Sequence, residues 1–222
     1  DGVIGHATAA GFTGLAAANI AEDIALLMQF EVAEVAEPGG GGRGGSSTMP
    51  HKRNPTASMV ARAAAHRLPG LIGTLSGSII HEHERAAGRW QAEWPVLRDI
   101  FVQTHAALAA MIEAIEGLKV FPDRMRENIE SLNGLIFAEG LMLQLARPIG
   151  RGAAHKLVDG LVARAITEKK HLRDIALATP EVTHHLQPAG ITAIFDARGY
   201  LGSAGTFVDR ARTEAAKSSL LS

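Results

Sequence analysis

Ser46, Ser47, Thr48, His51, Lys52, Arg53 and Asn54 fall within nine consecutive residues. They sit in the string GGGGRGGSSTMPHKRNP, which occupies residues 39–55. Hydroxyls beside a dense positive cluster can do two things. Lys52 and Arg53 supply full charges for an anion, and Asn54 adds a donor and an acceptor. The same field lowers the pKa of a nearby serine and stabilises its alkoxide. Asn54 is a good N-cap and Pro55 suits a first helical position, so the cluster abuts a helix start, where free N–H groups and the dipole also favour an anion. The glycines allow the segment to swing or to close tightly. The string reads as a mobile lid over an anionic, carboxylate substrate. A bare glycine run would be a linker, but this run ends in too much chemistry for that.

Long elements must hold such a loop. Phe12, Leu15, Ile20, Ile24, Leu27, Met28 and Val35 recur at helical steps and predict a helix over 12–35, stopped by Pro38 and the glycines. Glu31, Glu34 and Glu37 near its end oppose the helix dipole and have no evident role there. A second helix follows Asn54 and runs to about Glu84, with a kink at Pro69–Gly70. A third runs from Trp90 to Gly117, with Trp90, Trp94 and Phe101 as a core stripe. Beyond Phe121–Pro122 the helices shorten, over 124–131, 137–145, 152–168 and 172–177, and the last stretch holds a loop and one weak helix. The expectation is an all-α chain. Residues 1–118 form part of a long-helix bundle carrying a lid loop at 38–54, and residues 119–222 form a small helical domain.

Composition narrows the function. A formal charge of −1 offers no global field for nucleic acid or an anionic membrane, so any anion site is local. The absence of cysteine excludes disulfides and thiolate metal sites and fits a cytoplasmic setting. No stretch reads as long and apolar enough for a bilayer span. His81 and His83 are two apart, which is not the spacing of a helical zinc pair, and His184–His185 read as loop residues. Arg85, Arg89, Trp90 and Glu93 form a candidate second substrate-facing strip, with Arg89 and Glu93 favoured as a plain surface ion pair four residues apart. His51 reads equally well as a substrate ligand or a solvent-facing residue.

Residues 45–54, GSSTMPHKRN, match the pattern Gly-Ser-x-x-Met-x-x-Lys-x-Asn and resemble the signature of the fumarase/aspartase superfamily. The resemblance implies a long helical bundle, a homotetramer and active sites shared between subunits. It implies that Ser46 handles the proton next to a carboxylate. Lys52 and Asn54 would bind carboxylate oxygens, with Ser47, Thr48, Met49 and His51 beside them on the substrate loop. DIALLMQFEVAEVAEP, RWQAEWPVLRDIF, RGAAHKLVD and YLGSAGTFVDR look most like the bacterial 3-carboxy-cis,cis-muconate cycloisomerases. Those enzymes close a tricarboxylate diene to a lactone in aromatic degradation, without metal or organic cofactor. Members are longer, so the N-terminal half of the family fold, with its own active-site residues, is expected to be missing. A fumarate-releasing lyase of the adenylosuccinate or argininosuccinate type is the alternative within the enzyme class, and adenylosuccinate lyases are the nearest competitor. They usually carry an arginine, available for a nucleotide phosphate, where Trp94 stands after Glu93, and an indole cannot neutralise a phosphate. A non-catalytic bundle protein, as among relatives recruited to lens crystallins, is the alternative from another class; it has no use for Ser46, Lys52 and Asn54.

Overall fold

The computed structural model describes residues 2–39, 44–45, 48–49 and 52–217. The described residues form helices and their connections, apart from one two-stranded ladder. The chain divides into two compact units, residues 1–125 and 126–222.

The first unit is built on α1 (Gly2–Leu27), α2 (Thr56–His66), α3 (Leu68–Gly77) and α4 (Arg89–Glu116). Helices α1, α2 and α4 each pack against the other two. What α1 buries is small: Ala7, Gly11, Gly14, Ala17 and Ala21, with Ile24 at the end. A Cβ on Gly11 would lie 2.7 Å from Ile72 Cδ1, and one on Gly14 would lie 2.7 Å from Leu68 Cδ1. The glycines therefore set how closely α3 approaches. Helix α4 answers with Ile100, Thr104, Ala107, Met111 and Ala114, in steps of four and three, and the Thr104 hydroxyl donates to the Ala10 carbonyl at 3.2 Å. The bulky residues of the expected stripes divide: Ile24 and Val35 are buried and Leu15, Leu27 and Met28 pack against the core, but others face the other way. Phe12 is 61% exposed, and Ile20, Trp94 and Phe101 are also exposed. Trp90, Trp94 and Phe101 are thus not core in this chain, a correction with a physical cause: close helix packing selects small side chains and turns large ones outward.

Three helix boundaries also differ from expectation. Helix α1 stops at Leu27, because residues 28–34 turn back and Val35–Ala36 form strand β1. This strand pairs antiparallel with β2 (Lys119–Val120), Val35 opposite Val120 and Ala36 opposite Lys119. The second helix breaks at Arg67, between α2 and α3, rather than kinking at Pro69–Gly70, and α3 ends at Gly77. Helix α4 ends on Gly117 as expected. By length and composition α1 is apolar enough to cross a bilayer, contrary to expectation; alanine and glycine raise its hydropathy without bulk, and its small-residue face is used against α2, α3 and α4.

The second unit takes in the end of α5 (Pro122–Glu130), then α6 (Ala138–Ile149), α7 (Arg151–Glu168), α8 (Leu172–Leu177), α9 (Pro180–Thr183), α10 (Pro188–Ile194) and α11 (Ala204–Lys217). Its core joins Phe137, Leu141, Leu145, Val158, Leu161, Leu172, Ile175, Ile191 and Phe195. His171 caps α8: its Nδ1 accepts from the Arg173 amide at 3.0 Å, and its Nε2 lies 3.2 Å from a Glu130 carboxylate oxygen. Helix α11 is exposed along its length. The unit boundary falls after Met125, because β2 is tied to β1 and Met125 packs in the core of the first unit.

Candidate active site

The loop after β1 starts and finishes against fixed structure. Pro38 presses on Gly117 at the end of α4, where a Cβ would come within 2.5 Å of the proline ring. On the return leg, Asn54 clasps Gly44. Its backbone N–H donates to the Gly44 carbonyl at 2.8 Å, and its side-chain Nδ2 reaches the same oxygen at 3.4 Å. Gly44 has φ +67° and leaves only 2.8 Å between a built Cβ and the Asn54 carbonyl oxygen, so no other residue fits without strain. The Lys52 N–H donates to the Met49 carbonyl at 2.9 Å, a turn that sets Lys52 at the start of this clasp.

Asn54 does not cap α2. The helix begins at Thr56, and no side chain of the preceding residue caps it. The cap comes from Glu37, twenty residues upstream. Its carboxylate accepts from the Ala57 amide at 2.9 Å, the Ser58 amide at 2.8 Å and the Ser58 hydroxyl at 2.6 Å. Glu37 and Ser58 are both buried. The remaining amides of this turn, Thr56 and Met59, donate to the Asn54 and Pro55 carbonyls. This corrects two expectations. Glu37, which had no role as a helix residue, is the anion at the α2 N-terminus. A substrate anion therefore finds no free donor there, because all four first-turn amides are satisfied.

A cavity of about 290 Å³ lies under the clasp, lined by Met28, Glu37, Pro38, Gly39, Gly44, Gly45, Lys52, Arg53, Asn54 and Lys119. Three of these residues are cationic and one is acidic, and both oxygens of the acid are engaged by α2. A larger, more apolar cavity shares Met28, Lys52, Arg53 and Lys119 and adds Phe30, Met49 and Phe121. The arrangement is suited in charge and shape to a small polyanion held against an apolar wall.

Of the expected site residues, Lys52 and Asn54 line the first cavity, and Met49 lines the second. Thr48 is exposed and lines neither. Ser46, Ser47 and His51 lie outside the described residues. Arg85 and Arg89 stand at the other end of the bundle. They flank the start of α4, whereas Lys119 follows its end, and 28 residues of helix separate the two by about 42 Å at ~1.5 Å per residue. There Arg89 donates to the Ile80 carbonyl, Arg85 lies 5.9 Å from the Trp90 ring centroid, and Trp90 meets Trp94 edge-on at 5.0 Å. The expected Arg89–Glu93 pair is not formed. Glu93 instead binds His81 at 2.9 Å, and His81 Nδ1 accepts from the Ala86 amide, which folds the turn before α4. Among the described residues no group of three His, Cys, Asp or Glu side chains is placed to hold a metal.

Sequence reasoning missed Lys119 and misplaced Glu37. A basic residue opposite Ala36 becomes visible only with the ladder register.

The family model described as "Lyase" matches residues 1–70, and the one described as "Adenylosuccinate lyase C-terminus" matches residues 134–211. A 3-carboxy-cis,cis-muconate cycloisomerase from Bradyrhizobium diazoefficiens is 47% identical over 86% of the chain and 42% of its own length. The chain belongs to the fumarase/aspartase superfamily. A second member named 3-carboxy-cis,cis-muconate cycloisomerase, from Pseudomonas aeruginosa, is 42% identical over 96% of the chain and 47% of its own length. The crystal structure of the 3-carboxy-cis,cis-muconate lactonizing enzyme from Pseudomonas putida superposes with a TM-score of 0.85 at 40% identity, covering 96% of the chain and 48% of that enzyme. The chain thus spans less than half the length of these superfamily relatives. The signature string ends at Asn54, whose clasp on Gly44 closes the loop that leaves from Pro38 against Gly117.

Proposed function

We propose that this chain is the signature-bearing part of a 3-carboxy-cis,cis-muconate cycloisomerase, closing the tricarboxylate diene to 4-carboxymuconolactone in the protocatechuate branch of aromatic degradation, in the cytoplasm. The observation that carries the reading is the cavity beneath the signature clasp, where three cations face one fully engaged acid. The identity to relatives of that name supports it.

In this reaction a carboxylate oxygen adds to one carbon of a double bond. The π electrons move toward the neighbouring carboxylate, which becomes an aci-carboxylate, and a proton then joins the adjacent carbon. Three carboxylates become two and a lactone, with one proton taken up. The charge that develops on the aci-carboxylate needs fixed donors. Lys52 supplies a full charge, and Asn54 is held in place by its clasp on Gly44. The α2 N-terminus takes no part, since Glu37 occupies it. Ser46 delivers the proton in this scheme, by resemblance to the lyases and as the neighbour of the cavity-lining Gly45.

Arg85 and Arg89 join such a site only if another copy of the chain brings its α4 start to the clasp. The ~42 Å between the two clusters, and the exposed Phe12, Ile20, Phe101, Ile112 and Ile115, support an assembly of the homotetramer type with shared sites. A fumarate-releasing lyase of the adenylosuccinate type is the second reading, favoured by the match over residues 134–211. In that reading the exposed Trp94 leaves the phosphate to Arg85 or Arg89.

Ser46→Ala tests the role of the serine in the complete gene product. Loss of diene absorbance is expected to slow by about 10²-fold or more, the scale of a positioned acid–base group. Unchanged turnover would move the proton donor elsewhere.

A further inference from the structure

We propose that Lys119 is a specificity-determining residue that binds the third carboxylate of the substrate, so that the site prefers tricarboxylates to dicarboxylates. The inference rests on the cycloisomerase reading of the same cavity. It starts from the ladder. Pairing of Ala36 with Lys119 puts a basic residue beside the origin of the loop, next to Glu37. The return leg brings Lys52 and Arg53 to the same place, and all three line both cavities. The two legs touch there, since a Cβ on Gly39 would lie 3.1 Å from Arg53 Nη1. Among the described residues Glu37 is the only acid lining either cavity, and its oxygens accept from Ala57 and Ser58. Among the described residues no ion pair uses Lys119, and the residue is exposed and free to meet a ligand. A reaction needs Lys52 and Asn54 at the carboxylate where charge grows. A cation on a separate strand is not required there, but it is required where a third carboxylate would otherwise enter a cavity without its counter-charge. Binding that is equal in ground state and transition state shows in KM and not in kcat.

The test uses the complete gene product and its Lys119→Gln and Lys119→Arg variants. Steady-state rates are measured on 3-carboxy-cis,cis-muconate, and binding of tricarballylate and of glutarate is measured by calorimetry. Lys119→Gln is expected to raise KM about tenfold with kcat within about threefold, the scale of one charge-assisted contact. Tricarballylate affinity should fall by a similar factor, glutarate affinity should hold, and Lys119→Arg should restore most of the loss. Equal weakening of both probes, or of neither, overturns the inference. Wild-type enzyme that leaves the diene untouched removes the cycloisomerase reading instead, and the ratio of the two probe affinities then decides on Lys119 alone.

Discussion

Replacing Lys52 with alanine in the complete gene product is expected to lower kcat/KM on 3-carboxy-cis,cis-muconate by about 10²- to 10³-fold, the cost of removing one preorganised group from a developing negative charge. Stability should hardly move. The Lys52 side chain is exposed, and its structural contribution is made by its backbone, through the N–H to Met49. Most of the loss should fall on kcat, because the charge Lys52 faces is larger in the transition state than in the substrate. Steady-state kinetics paired with a thermal melt checks both halves. A variant that melts normally and keeps kcat would show that Lys52 only gathers substrate, and the growing charge would need another partner.

The second large effect concerns Glu37. Its removal by Glu37→Ala leaves the Ala57 and Ser58 amides and the Ser58 hydroxyl without an acceptor, in a place where Ser58 is fully buried. It also takes the one carboxylate that, among the described residues, bonds to the N-terminus of α2. Two of the stranded groups belong to buried Ser58. Loss of a cap costs ~1 kcal/mol and each stranded buried group ~1–3 kcal/mol, so the opening of α2 should become easier by at least about 3 kcal/mol. Glu37→Gln keeps one acceptor oxygen and turns an NH2 toward a backbone donor, so about half that loss is expected. Amide hydrogen exchange at Ala57 and Ser58 reads the change directly. Destabilisation below ~1 kcal/mol would mean that water replaces the carboxylate without penalty. Activity should fall too, because α2 follows directly on the leg that carries Lys52 and Asn54.

These residues show where the sequence was readable. The signature string was legible because its residue types and spacing carry chemistry without reference to any partner. Long helices were legible from periodicity, and α4 ended on the glycine expected to end it. The facing of α1 was legible only in part. Ile24 is buried as its place in the apolar stripe suggests, and Leu15 and Leu27 pack inward, but Phe12 and Ile20 point out and the rest of the buried face is Ala7, Gly11, Gly14, Ala17 and Ala21. Apolar periodicity identifies a helix; it cannot tell a face that packs within the chain from one left for another. The acids at 31, 34 and 37 conflicted with the dipole of a helix that in fact stops at Leu27. Glu37 serves a different helix, across a loop whose length hides the pairing. Asn54 looked like a cap because of its type and its proline neighbour. The structure spends its donors on Gly44, and the helix takes a full charge from Glu37 in place of a neutral amide. Lys119 was invisible for the same reason as Glu37: only tertiary register brings it to the loop.

The most direct test of the account is a parallel assay of the complete gene product on two substrates, following loss of the conjugated-diene absorbance of 3-carboxy-cis,cis-muconate and cleavage of adenylosuccinate. Rapid loss of the diene and no cleavage of the nucleotide are expected. Cleavage of adenylosuccinate with the diene left intact would contradict the cycloisomerase reading, and would assign the three cations under the signature loop to a fumarate-releasing lyase.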